Sequence, residues 1–301
     1  MSLNVTLEGV ILVLGRFTQN RTGESPAGAI RRLDQAGALP GFDSRADLLP
    51  IGCYYKRTGA IRSFALGGQM RKYDIVYILK DNAPSEELRF SLRSIEENMD
   101  HGKVWFYCGC PDGFAPDEHV AQVQKGSTKW ERVRSSLLEI CKNDKISKQF
   151  WLFNDDFYIM QPMQSAKNYH RGLLDDHIKD IERRHCGGST AYTNNLRRCE
   201  QQLRDAGLTT LDYAIHIPML VDRVKALEAL RMCPRCPMFR SIYGNYAKIG
   251  GDFIVDCKTT DSERIINPED PFFSTSNRAF SGKVREQMEK LFPDPCRYET
   301  K

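Results

Sequence analysis

The sequence lacks the two phosphate-binding signatures that are easiest to read from a primary structure. It holds neither a Walker A loop nor a GxGxxG fingerprint, which argues against P-loop nucleotide hydrolases and ordinary dinucleotide-binding folds. It also lacks a long hydrophobic run. No stretch approaches the roughly 18 apolar residues of a membrane span. The apolar piece from Val10 to Leu14 is too short for a secretory leader core and has no basic flank before it. A cytoplasmic location, with no membrane span, is the expectation. No internal repeat and no low-complexity tract is present, which excludes solenoid arrays.

A marked excess of either charge is absent as well, with 43 Lys and Arg against 39 Asp and Glu. The net charge over 301 residues is only +4. The basic stretches "IERRH" (181–185) and "NNLRRCEQQLR" (194–204) read as solvated helix faces, so a nucleic-acid surface is not indicated. Cysteine is present, ten times, but at irregular spacing in a long chain, which argues against a disulfide framework. Cys233-Pro-Arg-Cys236 is one CxxC. A zinc site would need a second pair, such as His185 with Cys186, and none is spaced for it. Cys108-Gly-Cys110 follows an apolar strand and reads as packing.

What is present is a strand-and-helix alternation that begins near Met70. Residues 1–69 carry scattered Gly, Pro, Arg and Ser with little apolar periodicity. They are expected to be an amino-terminal extension, with one short helix starting near Ser25-Pro26. From Met70 the spacing predicts a strand over Tyr73 to Leu79 and a helix over Ser85 to Asn98, capped by Ser85. A second strand follows over Val104 to Cys108, then a helix over Ser127 to Cys141 with Val133, Leu137, Leu138 and Cys141 inward, and a third strand over Phe150 to Phe153. This order predicts an α/β fold with a mostly parallel sheet and helices on both faces. Ligands of such sheets collect at the carboxyl ends of the strands. Beyond residue 160 the pattern loosens. Helices are expected over Lys167 to Arg184, Ser189 to Ala206, Val221 to Arg231 and Ser281 to Phe292, with strands in "DYAIHIPMLVD" (212–222) and "GGDFIVDCK" (250–258).

The third strand runs into "FWLFNDDFYIM" (150–160), where eight large apolar or aromatic residues surround Asn154, Asp155 and Asp156. Asn-Asp is ordinary turn chemistry. Yet both arms are apolar, and carboxylates rarely stay buried unless paired, hydrogen-bonded or bound to metal. A hard divalent cation at a strand end would resolve the conflict.

These segments resemble a known family. "YDIVYILKDN", "LRFSLRSIEEN", "STKWERVRSSLLEIC", "ISKQFWLFNDDFYIM" and "DYAIHIPML" are similar to nucleotide-sugar transferases of the GT-A fold, bacterial and phage glycosyltransferase-like proteins in particular. More distantly they resemble the stealth-type capsular polysaccharide phosphotransferases. The resemblance covers residues 73 to about 258. It implies a GT-A-like domain over 70–301, with a nucleotide-binding half (70–160) and an acceptor-side half (161–301). It also implies transfer of a sugar, or a sugar phosphate, from a nucleotide-diphosphate donor to a glycan, a protein or a modified DNA base.

Asp155 and Asp156 correspond to the family's Asp-X-Asp element, which holds Mn²⁺ or Mg²⁺ against the diphosphate. Asn154 departs from that pattern at its first position. Asp156 is the leading metal ligand, and the resemblance makes His216 a further ligand or a diphosphate contact. A satisfied structural histidine is the competing reading. Asp81, past the first strand, would meet base or ribose, or is a turn aspartate. Arg89 and Arg93, one helical turn apart, and Lys129 and Lys258 are phosphate-binding candidates, each also readable as a solvated surface cation. For the base that deprotonates the acceptor, Asp212, Asp252 and Asp256 all lie near predicted strand ends. A noncatalytic sugar-nucleotide or nucleic-acid binding module on the same fold is the alternative from another class.

Overall fold

The computed structural model describes residues 72–80, 86–163 and 166–300. The expected boundary at Met70, the helix near Ser25, the Ser85 cap and Asp81 lie outside these residues.

Strand β1 (Asp74–Leu79) occupies the centre of a five-stranded sheet. It pairs in parallel with β2 (Val104–Cys108) on one side and with β4 (Gln149–Phe153) on the other. β3 (Glu118–Val120) extends the sheet in parallel beyond β2, and β7 (Met219–Asp222) closes the opposite edge antiparallel to β4. The central strands are apolar at nearly every position because both faces are covered. On β4, Trp151 and Phe153 pack into one core cluster, and Phe150 and Leu152 into the other.

Helix α1 (Glu86–Asn98) brings Leu88, Leu92 and Ile95 to the first of these clusters. Helix α2 (Lys129–Lys142) brings Leu137, Ile140 and Cys141 to the second. Its start is set by a capping box in which Thr128 accepts from the Glu131 amide and Glu131 accepts from the Thr128 amide. The chain therefore leaves β1 over one face toward β2, and reaches β4 over the other. The carboxyl ends of β1 and β4 flank the point where the strand order reverses, the standard ligand crevice of open α/β sheets.

After β4 the chain makes a tight turn, in which the Phe157 amide donates to the Asn154 carbonyl at 3.3 Å. It continues as β5 (Phe157–Ile159), which pairs antiparallel with β10 (Phe272–Thr275) in a second, three-stranded sheet. The third strand there is β9 (Lys258–Thr259). All eight apolar residues of the stretch 150–160 are under 9% exposed, each worth roughly 1.5–3 kcal/mol of transfer free energy.

The remaining elements differ from expectation in extent. The helix expected over Lys167 to Arg184 is divided into a short strand β6 (Tyr169–His170), paired with β8 (Asp252–Phe253), and helix α3 (Leu174–Arg184). Helix α4 (Ala191–Asp205) and helix α5 (Arg223–Met232) follow the expected periodicity. Helix α6 (Phe239–Tyr246) and β10 have no counterpart in the sequence reading. Helix α7 (Gly282–Leu291), expected over Ser281 to Phe292, buries Val284 and Met288. Only Met219–Asp222 of the segment 212–222 is strand. Residues 212–218 form an irregular connection pinned by side chains. No described helix is long and apolar enough to cross a membrane.

Candidate functional site

A crevice of about 640 Å³ opens at the carboxyl ends of β1 and β4, within the size range of small-molecule sites. Lys80 follows β1 into it, and Asn154 and Asp155 follow β4. Lys129 and Trp130 enter from the start of α2, His216 from the 212–218 connection and Arg240 from α6. Glu87 reaches it from the first turn of α1.

His216 is held by Asp256. The imidazole Nδ1 donates to Asp256 Oδ2 at 2.8 Å, and the His216 amide donates to Oδ1 at 3.0 Å. Burial alone would raise the Asp256 carboxyl, but the hydrogen bonds and charge of His216, with Arg171 nearby, outweigh it and hold the group at about 2. Asp256 is thus an anion that fixes the imidazole's orientation, leaving Nε2 as the nitrogen available for chemistry.

The connection carrying His216 is anchored from three sides. Asp212 Oδ1 accepts from the Ala214 amide at 2.8 Å and from Ser241 Oγ at 3.0 Å. Arg240 Nη1 donates to the Ile217 carbonyl at 2.6 Å, and Cys257 Sγ to the His216 carbonyl at 3.2 Å. Gly244 on α6 is required by close approach, because a Cβ there would lie 2.4 Å from the Tyr213 ring.

Arg240 stacks 5.1 Å from the Phe157 ring centroid. Burial lowers it to about 10, against the pull of Asp156 and Asp256, so it stays a cation at neutral pH. Glu87 is 6% exposed and accepts from Thr275 Oγ1 at 2.7 Å. Burial above all lifts its carboxyl to about 7; the Thr275 bond opposes this, and the negative charges of Asp155 and Asp156 add to it.

The three residues expected to hold metal do not converge. Among the described residues, no group of three or more His, Cys, Asp or Glu side chains is placed to hold an ion. Asp155 faces the crevice. Asp156, its neighbour in the turn, is buried on the other side, where Oδ2 accepts from Lys258 Nζ at 2.7 Å. Its Oδ1 is buried without a hydrogen-bond partner. β10 explains the pairing, since its Ser274 lies opposite both Phe157 and Lys258 and so draws Asp156 and Lys258 to the same strand. Lys258 supplies the positive charge that a cation was expected to supply to Asp156, so Asp156 does not join Asp155 and His216 in the crevice lining. The described residues therefore do not fit the three-ligand set implied by the resemblance.

Other expected site residues stand elsewhere. Arg93 makes a two-pronged ion pair with Glu299, at 2.6 and 2.8 Å, and donates to the Phe292 carbonyl. Arg89 lies 3.3 Å from the same glutamate. Both arginines fasten the carboxyl-terminal segment to α1, away from the crevice lining. Asp212 is fully buried and shares its second oxygen with His177 Nδ1 at 2.6 Å. Asp252 is exposed and paired with Lys167 at 2.5 Å. Of the three base candidates only Asp256 touches the crevice, through His216. Lys129 lines the crevice wall.

Arg240 and Glu87 were not foreseen. Arg240 interrupts the apolar run "PMFRSIYG" as the aspartates interrupt theirs, and that signal was available. Glu87 looked like an ordinary acid of a helix's first turn. Cys233 and Cys236 are buried in an apolar cluster with Cys199, and Cys186 is exposed, so the CxxC does not gather His185 and Cys186. Compared with known proteins, the chain matches no family model and no curated relative.

Proposed function

We propose that the chain is a nucleotide-sugar-dependent glycosyltransferase of the GT-A type. The observation that carries this reading is the crevice at the β1/β4 reversal point. It presents Arg240 and Lys129 as cations and His216, fixed by Asp256, as a proton acceptor. The nucleoside diphosphate of the donor lies over the strand ends. His216 Nε2 accepts the proton of the acceptor hydroxyl as that oxygen bonds to the anomeric carbon of the sugar. The bond from that carbon to the diphosphate oxygen breaks, and its electron pair leaves on the diphosphate, whose charge Arg240 and Lys129 offset. Asp256 keeps the Nδ1 proton in place and stabilises the imidazolium. The same cations suit transfer of a sugar phosphate, in which the bond between the two phosphates breaks instead. Product analysis separates the two, because only the second leaves phosphate in the new linkage.

The test is a thermal melt with nucleoside diphosphates, followed by turnover of the donor that binds. A diphosphate binding only the folded chain raises the melting temperature. Because the cations are side chains, a shift is expected in EDTA as well as in Mn²⁺. Asp256→Asn is expected to keep the shift and to lose about 100-fold or more in transfer, since the amide no longer holds the productive tautomer. No shift with any nucleoside diphosphate at millimolar concentration sinks the proposal. Binding with no turnover on glycan, protein or DNA acceptors leaves a nucleotide-sugar binding module.

A further inference from the structure

A second groove, of about 740 Å³, shares Trp130 and Pro237 with the crevice wall. It runs between the start of α2, one face of α4 and the connection 234–237. Its lining includes Arg134, Arg198 and Arg235 against a single acid, Glu131. That acid is already engaged: the Glu131 carboxylate accepts from Ser127 Oγ at 2.7 Å and from the Thr128 amide at 3.0 Å. Arg134 is engaged too, donating to the Leu230 and Cys233 carbonyls that end α5.

Arg198 and Arg235 differ. Along α4, Arg197 pairs with Glu182, and Arg204 with Glu200. Arg198 turns to the groove, where neither it nor Arg235 has a carboxylate in salt-bridge reach among the described residues. Leaving two guanidinium groups without acids in one concave surface raises the local concentration of anions. Planar guanidinium forks match carboxylate and phosphate oxygens.

The rest of the lining selects among anions. Trp130 is half-buried and offers an apolar ring at the junction with the crevice. Asn195 offers an amide, which both donates to and accepts from hydroxyls, and Asn194 offers its amide N–H groups, its oxygen already accepting from Ser189 Oγ at 2.7 Å. An aromatic ring, amides and guanidinium groups together suit a sugar ring bearing an acid. A single-stranded nucleic acid needs a longer basic track and repeated aromatic platforms, and here one aromatic residue stands beside an acid.

We propose that this groove binds an acidic oligosaccharide, bearing carboxylate or phosphate ester groups, as the acceptor, with its reacting end passing Trp130 into the crevice toward His216. The assignment as acceptor rests on the transferase reading; the binding itself does not.

The experiment is calorimetric titration of the full chain with trigalacturonate, a phosphorylated trisaccharide, neutral maltotriose and oligothymidylate. A parallel titration uses a nucleoside diphosphate. At least one acidic trisaccharide is expected to bind tenfold or more tightly than maltotriose, and the tighter of the two names the anion. The double variant Arg198→Ala/Arg235→Ala changes exposed side chains, and its fold is checked by its melt. It is expected to lose tenfold or more for the acidic sugar with nucleotide binding unchanged. The groove proposal is overturned if neither acidic sugar binds, if maltotriose binds equally, if oligothymidylate binds more tightly, or if the folded double variant keeps its affinity. Acidic-sugar binding without any nucleotide binding sinks the transferase reading and leaves the groove as a saccharide site. The reverse pattern sinks the groove alone.

Discussion

A carboxyl group that is 6% exposed and feels two neighbouring carboxylates has reason to keep its proton. Glu87 titrates at about 7 in the folded chain, against an ordinary value of 4.5. The folded state thus binds the proton more tightly, and the stabilisation is complete below the ordinary value. It fades as pH rises and is gone above about 7. One pKa unit corresponds to about 1.4 kcal/mol, and solvent at the crevice mouth reduces the total, so the expected effect is on the order of 1–3 kcal/mol. Glu87→Gln keeps an acceptor for Thr275 and removes the titration. Relative to the parent chain, the variant should gain stability as pH rises from 4.5 to about 7 in urea unfolding. Parallel stability curves for the two chains across that range would mean that Glu87 is ionised throughout. Near neutral pH the group is poised to exchange a proton with a ligand in the crevice.

The turn between β4 and β5 shows how an element decides what its residues do. Asp155 and Asp156 are adjacent, yet the turn sends one to the crevice and the other into the contact with β9. Asp156 and Lys258 are 12% and 26% exposed at their side chains. Breaking such a pair leaves one charge poorly solvated and costs about 2–4 kcal/mol, somewhat less than a fully buried pair would. Lys258→Met and Asp156→Asn are each expected to lower stability by this amount. The joint variant should recover most of the loss, because no lone charge remains. Additive losses in the joint variant would show that the ammonium and carboxylate act independently. The apolar arms of the turn were legible in the sequence because alternating strand residues entering two cores must all be apolar. The partner of Asp156 was not, because Lys258 lies 102 residues away and arrives through β10, a strand whose short run "FFST" carried too little periodicity to be read.

At the scale of the molecule, the described residues carry four core clusters of their own. A chain beginning at Met70 is therefore expected to melt cooperatively and to retain nucleoside diphosphate binding. A broad, non-cooperative melt of that shorter chain would show that residues 1–69 complete the core. The four clusters lie on both faces of the main sheet, under α3 and α4, and between the second sheet and α7. The crevice is the place where the sheet's reversal prevents helices from covering the strand ends.

Local apolar pattern was enough to settle the class of fold as α/β. Apolar strands alternating with amphipathic helices over residues 73–153 have few ways to bury both kinds of face other than a parallel sheet covered on both sides. It also pointed to the crevice, since residues following such strands, Asn154 and Asp155 among them, must gather at one edge of the sheet. The tertiary structure decided which charges meet. It turned Asp156 toward Lys258, committed Arg93 to Glu299, buried Asp212 under Ser241 and His177, and brought Asp256 to His216 across 40 residues. Apolar periodicity is a local property that each segment carries alone. An ion pair is set by the packing of two distant segments, and no single segment records it.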